Sequence, residues 1–182
     1  MIEAIGLVEL SSIARGIETA DAMLKAAQVE LIEAKPTCPG KYIVLIAGDV
    51  AAVQSSVEVG RAIGNSAVID DFILPNVHSS VIEGLSATTN VSEIIALGII
   101  ETFSIASLIV AADTAANSGV VETVEIRIGV GIGGKSYAVF TGDVSSVRAS
   151  VEAGAKGAGE KGALLDTVVI PSPHRSLKKC IL

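Results

Sequence analysis

The chain has two thiols and two imidazoles, the side chains best suited to bind a transition metal: Cys38, Cys180, His78 and His174. Cys38 stands in KPTCPGK, residues 35–41, between two prolines and ahead of a glycine. A thiolate there can ligate zinc or iron, act as a nucleophile, or join a disulfide. One cysteine cannot build a metal cage inside one chain, and no Cys–His pair is placed for catalysis by any readable motif. Cys180, in the tail SLKKCIL, reads as an incidental thiol, and the ending is one residue short of a prenylation box. No paired carboxylates or Ser–His–Asp set is legible, so the chain reads as a non-enzyme, with no catalytic residue assigned. GIGGKS, residues 131–136, could suggest a phosphate loop, but its Lys135-Ser136 precede a strand rather than open a helix, so a nucleotide site is not expected.

Composition narrows the setting. Half of the 182 residues are apolar, yet only 3% are aromatic and there is no Trp, so the core must be Val, Ile, Leu and Ala. Eighteen glycines permit close approach of elements. The mean hydropathy of +0.62 suggests surface buried against other chains. A net charge of −7 without a basic stripe argues against nucleic acid. The start MIEAIGLVEL lacks a basic n-region, so no signal peptide is expected. The most apolar segment, residues 94–112, carries Glu101 and several hydroxyls, so no membrane partner is expected. Two cysteines fit a reducing cytoplasm.

The elements that position Cys38 emerge from an internal repeat. AIGLVE at residues 4–9 returns as ALGIIE at 96–101, and Ala20-Asp21 returns as Ala112-Asp113, both at offset 92. GKYIVLIAGDV at 40–50 returns as GKSYAVFTGDV at 134–144, offset 94, which places a two-residue gain near Asn117 to Val121. ILPNVH at 73–78 matches VIPSPH at 169–174, offset 96. The expected domains are residues 1–90 and 93–182, joined by a linker at Ala87 to Ser92. Each copy predicts a strand (4–10; 96–101), a helix (17–27; 105–116), two strands around a loop, a second helix and a last strand.

Val124, Ile126, Ile128 and Val130 alternate with polar residues and glycine, the period of a strand. Asp49 and Asp143 read as N-caps. Val50, Val53 and Val57 match Val144, Val147 and Val151 as the apolar stripe of the second helix. The order β-α-β-β-α-β, twice, defines an α+β fold class: two tandem ferredoxin-like domains, each an antiparallel sheet with two helices on one face. His78 and His174 take equivalent places after a strand, which argues for a structural or rim role. Glu58 and Glu152 match as solvated helix positions.

AIGLVE, the helix segment ADAMLKAA (20–27) and GKYIVLIAGDVAAVQ (40–54) resemble the bacterial microcompartment shell domain, over nearly the whole chain. The duplication resembles the tandem-domain, trimer-forming class. TCPGKY (37–42), GIGGKSY (131–137), GEKG (159–162) and VIPSPH (169–174) are similar to the subtype of propanediol-utilisation compartments. The resemblance implies a shell protein in the bacterial cytoplasm. Three chains would form a pseudohexameric tile that packs with other shell proteins around enzymes. It implies that the loops Pro36, Thr37, Cys38, Pro39, Gly40 and Gly131, Ile132, Gly133, Gly134 converge on a central pore. It also implies that Lys25 lies at the tile edge, although Asn117 stands at the matching place in the second copy.

That subtype implies an iron–sulfur cluster at the pore, held by one loop cysteine per chain, here Cys38, for electron transfer across the shell to encapsulated redox enzymes. Three thiolates on a threefold axis suit a [4Fe–4S] cubane or a [3Fe–4S] cluster, not a [2Fe–2S] rhomb, and the resemblance favours the cubane. A fourth iron would need a ligand that is not identified. Offset 94 sets Ile132 opposite Cys38, so only three of six loops would carry a thiol. A free thiol remains open as a reading of Cys38. So does a three-thiolate zinc site, although that usually takes a fourth protein ligand. The alternatives are a metabolite pore lined by Cys38 without a cluster, and a cytosolic ferredoxin-like domain that binds a small ligand.

Overall fold

The computed structural model describes residues 2–129, 131–159 and 163–181. Val130 of the alternating segment, and Glu160, Lys161 and Gly162 of GEKG, lie outside the described residues. Two compact units divide the chain, Met1–Val77 and His78–Leu182.

In the first unit β1 (Ala4–Leu10), α1 (Ile13–Ala26), β2 (Glu30–Thr37), β3 (Lys41–Gly48), α2 (Val50–Gly64) and β4 (Val68–Pro75) follow in order. Helix α1 starts earlier than position 17, because the Ser12 hydroxyl accepts from the Arg15 amide at 3.4 Å and satisfies a first-turn donor. Asp49 caps α2, accepting from the Ala52 amide at 2.9 Å. The sheet order is β2-β3-β1-β4, antiparallel throughout, the split β-α-β arrangement read from the sequence. Val53 and Val57 of the α2 stripe are fully buried, each worth roughly 1.5–3 kcal/mol of apolar burial. They seat against Gly6, where an added Cβ would come within 2.8 and 2.6 Å of them. The ring of Tyr42 occupies the space beside Gly16 in the same way.

The second unit begins with α3 (Ser79–Leu85). Then come β5 (Ala96–Thr102), α4 (Ile105–Ser118), β6 (Glu122–Ile128), β7 (Ser136–Gly142), α5 (Val144–Gly159), β8 (Leu164–Ile170) and α6 (Arg175–Ile181). Its sheet order, β6-β7-β5-β8, repeats the first. Gly98 receives Val147 and Val151 as Gly6 receives Val53 and Val57. Asp143 accepts from the amides of Ser145 and Ser146 at 2.9 and 3.0 Å, the expected cap of α5.

Helix α3 belongs to the first repeat by sequence but packs on β6 and α4. Val81 is fully buried there, and Gly84 lies against the side chains of Ile126 and Thr123. The sequence boundary near residues 87–92 and the division between compact units at Val77/His78 therefore differ by one helix. With α6, that helix gives the second unit four helices among the described residues where two were expected.

Candidate functional site

Strand β2 ends at Thr37 and β3 starts at Lys41, so the Cys38 loop is a tight turn of Cys38, Pro39 and Gly40. Pro36 and Thr37, expected in the loop, belong to the strand instead and pair with Tyr42 and Lys41. A proline is tolerated there because β2 is an edge strand and needs no donor on its outer side. The Gly40 amide closes the turn onto the Thr37 carbonyl at 2.9 Å, and its φ of +86° is one that glycine adopts without strain. The Cys38–Pro39 peptide is cis. Cys38 is a free thiol and half-buried. Lys41 reaches back to Glu9 of β1 at 3.0 Å and ties the base of the turn to the centre of the sheet. Glu9 is only 5% exposed, so its charge depends on that partner.

The second repeat builds a different loop on the same base. Lys135 reaches Glu101 at 3.1 Å, the counterpart of the Lys41–Glu9 pair. From Ile128, paired with Ser136, the chain runs through residues 129–135 before β7. The Lys135 amide donates to the Ile132 carbonyl at 3.3 Å, and Gly129, Gly131, Gly133 and Gly134 all have positive φ. Beside it, burial and the neighbouring Glu125 carboxylate raise the Tyr137 phenol above its ordinary value. Arg127 pairs with the same Glu125.

Strand register corrects where the second copy gained its two residues. The bulges in β2 (Leu31/Glu33) and β6 (Thr123/Glu125) are 92 apart, and Pro36–Tyr42 corresponds to Ile128–Ser136. The offset is thus still 92 at the end of β6, and both added residues lie in the loop, not near Asn117 to Val121. Ile132 is consequently no one-to-one counterpart of Cys38: a longer, glycine-rich excursion replaces the cysteine turn. The Glu9–Lys41 and Glu101–Lys135 pairs escaped sequence reading, although both Glu residues end a repeated strand motif and both Lys residues follow a repeated glycine.

Lys25 is exposed in the last turn of α1 and pairs with Asp21 at 2.6 Å. His78 accepts from the Ser80 amide through Nδ1 at 3.3 Å, and His174 from Ser176 at 3.2 Å, so both act as caps of short helices. Glu58 and Glu152 are exposed, as expected. Cys180 is an exposed free thiol on α6. Among the described residues no group of three or more His, Cys, Asp and Glu could hold a metal within one chain. No described helix is long and apolar enough to cross a membrane.

A duplicated split β-α-β sheet with a constructed turn at the same strand junction defines a class. The BMC domain profile matches residues 4–77 and 96–173, and the chain belongs to that family, a tandem microcompartment shell protein. It is 45% identical to the bacterial microcompartment shell protein PduT of Citrobacter freundii, over 97% of this chain and 96% of that one. The crystal structure of a microcompartment protein from Desulfitobacterium hafniense DCB superposes with a TM-score of 0.96 at 68% identity, covering 99% of this chain and all of the other. The carboxysome assembly protein CcmO of Synechococcus elongatus is 30% identical over 93% of this chain and 65% of its own length. The chain is a structural component of a bacterial microcompartment shell in the cytoplasm, not an enzyme, and such proteins assemble with other shell proteins.

Proposed function

We propose that three copies form a pseudohexameric tile of a propanediol-utilisation-type shell, and that their three Cys38 thiolates hold one iron–sulfur cluster on the threefold axis of a central pore. The carrying observation is the turn itself. It offers a half-buried thiol on a three-residue turn fixed by the Gly40–Thr37 hydrogen bond and the Lys41–Glu9 pair. The donor set fits only as one third of a site, since a single chain supplies one loop thiolate and cluster ligation calls for several. A threefold tile supplies the other two. A bound cluster would contribute one-electron transfer, by this reading between the two faces of the shell and toward encapsulated redox enzymes.

The chain's own part is positional. The short turn fixes the Cα of Cys38, so little conformational entropy is lost when three sulfurs meet. The longer second loop, with Ile132 and its glycines, brings no thiol, which sets the number of ligands at three. On the rim, exposed Lys25 would contact the neighbouring tile.

Anaerobic purification followed by absorption and EPR spectroscopy, beside Cys38→Ser, tests the proposal. Native protein should be coloured and give a cluster signal that Cys38→Ser lacks. Colourless, iron-free protein after reconstitution would leave a pore without a cluster, lined by Cys38.

A further inference from the structure

The four long helices that pack on the sheets start on a serine or an aspartate. Ser12, Asp49, Ser104 and Asp143 accept first-turn amides of α1, α2, α4 and α5. The two short helices start on the two histidines of the chain. In both, Nδ1 accepts from the amide two residues on, that of Ser80 at 3.3 Å and that of Ser176 at 3.2 Å. A hydroxyl or carboxylate oxygen caps throughout the neutral range; an imidazole nitrogen caps only while it carries no proton.

Around His78 the cap is tied into the packing of α3 on β6 and α4. The Thr123 hydroxyl of β6 donates to Ser80 Oγ at 3.0 Å, which leaves the Ser80 hydrogen for His78 Nδ1 at 2.8 Å. Nδ1 therefore receives both the amide and the hydroxyl of Ser80. The next turn carries the buried contacts, Val81 and Gly84 against Ile126 and Thr123. Asp113 is the one charged residue of α4, and its Oδ1 accepts the His78 amide at 2.8 Å. On β6, Glu122 is exposed and Glu125 pairs with Arg127; on α3 itself, Glu83 is exposed.

We propose that His78 is a proton-operated latch on α3. Neutral, its ring caps the helix and anchors Ser80, and through Ser80 the hydroxyl of Thr123. A proton taken up from solvent at Nδ1 turns that acceptor into a donor, so the Ser80 amide and hydroxyl both lose their partner. The charged ring turns instead to the Asp113 carboxylate, already hydrogen-bonded to the same residue. The released state holds one proton more than the capped state. The latch is therefore closed above the interval in which histidine changes charge, about pH 5–8, and opens as pH falls through it. Acidification thus loosens α3 from β6 and α4, while helices capped by Ser or Asp stay in place.

Hydrogen–deuterium exchange of the full chain, corrected for the intrinsic rate at each pH, tests the latch. A helix cap changes the opening equilibrium roughly 2- to 30-fold. Protection of residues 79–85 should fall within that range between about pH 7.5 and about pH 5.5. Protection of α2, capped by Asp49, should hold. His78→Asn keeps a capping oxygen that does not titrate, so α3 should stay protected at both pH values. His78→Ala should leave it poorly protected at both, and His174→Asn should not alter the native drop. Unchanged protection of α3 in the native chain, an equal drop in His78→Asn, or an equal drop in α2 would overturn the proposal.

Discussion

The β2–β3 hairpin of the first unit and the β6–β7 hairpin of the second share one scaffold and end differently. In both, a lysine at the start of the third strand grips a glutamate near the end of the first, Lys41 to Glu9 and Lys135 to Glu101. Above that base the first repeat makes a three-residue turn around Cys38, and the second a longer loop through four positive-φ glycines. The divergence extends one layer down. Tyr42 fills the space left by Gly16 in the first repeat; at the equivalent positions the second carries Ser136 and Leu108. Each pair adds up to one large and one small side chain, so the core keeps its volume while the strand leading from the loop changes shape. The two hairpins of the duplicated sheet thus differ in their turns and in the packing beneath them, not in their strands.

Six substitutions probe the contrast, in falling order of effect. Cys38→Ser should abolish cluster binding altogether, whereas Ile132→Ser should leave it intact; a cluster lost equally in both would erase the distinction between the hairpins. Gly16→Ala drives a methyl group to 2.4 Å from the Tyr42 ring and should cost about 1–3 kcal/mol in urea unfolding. Adding Tyr42→Ser should recover part of that loss, because the two residues are in contact. Lys41→Met strands the nearly buried Glu9 and should cost about 1–2 kcal/mol. Lys135→Met should cost less, since Glu101 and Lys135 are both more exposed.

The smallest effect concerns acid. Hydrogen bonds from Ser145 and Ser146 hold the Asp143 carboxyl well below the usual carboxylate range. A depressed folded-state value means its contribution is present above the unfolded value of 3.8 and is lost as pH falls through the folded value. Asp143→Asn should therefore flatten the stability profile below about pH 4 and change its slope little at neutral pH.

Much of this was legible in the sequence for a physical reason. Repeated motifs keep the same strands, and Asp49 and Asp143 mark helix starts by a side chain that only a cap requires. Cys38 was visible because a thiol between two prolines has no core role. The location of the two added residues was not, because offset counting cannot say where between two motifs an insertion falls; only the strand register places it after Ile128. The destination of α3 was equally hidden. Val81 and Gly84 announce a packed helix face, but nothing in their spacing names Ile126 as the partner. Tertiary partners and loop-level insertions are set by three-dimensional fit, while periodicity and capping are set locally.

Native mass spectrometry of anaerobically purified protein reads the central claim most directly. The account predicts three chains carrying the mass of one iron–sulfur cluster, and three chains alone for Cys38→Ser. Iron-free trimers after reconstitution, one cluster per chain, or a cluster that survives Cys38→Ser would contradict it.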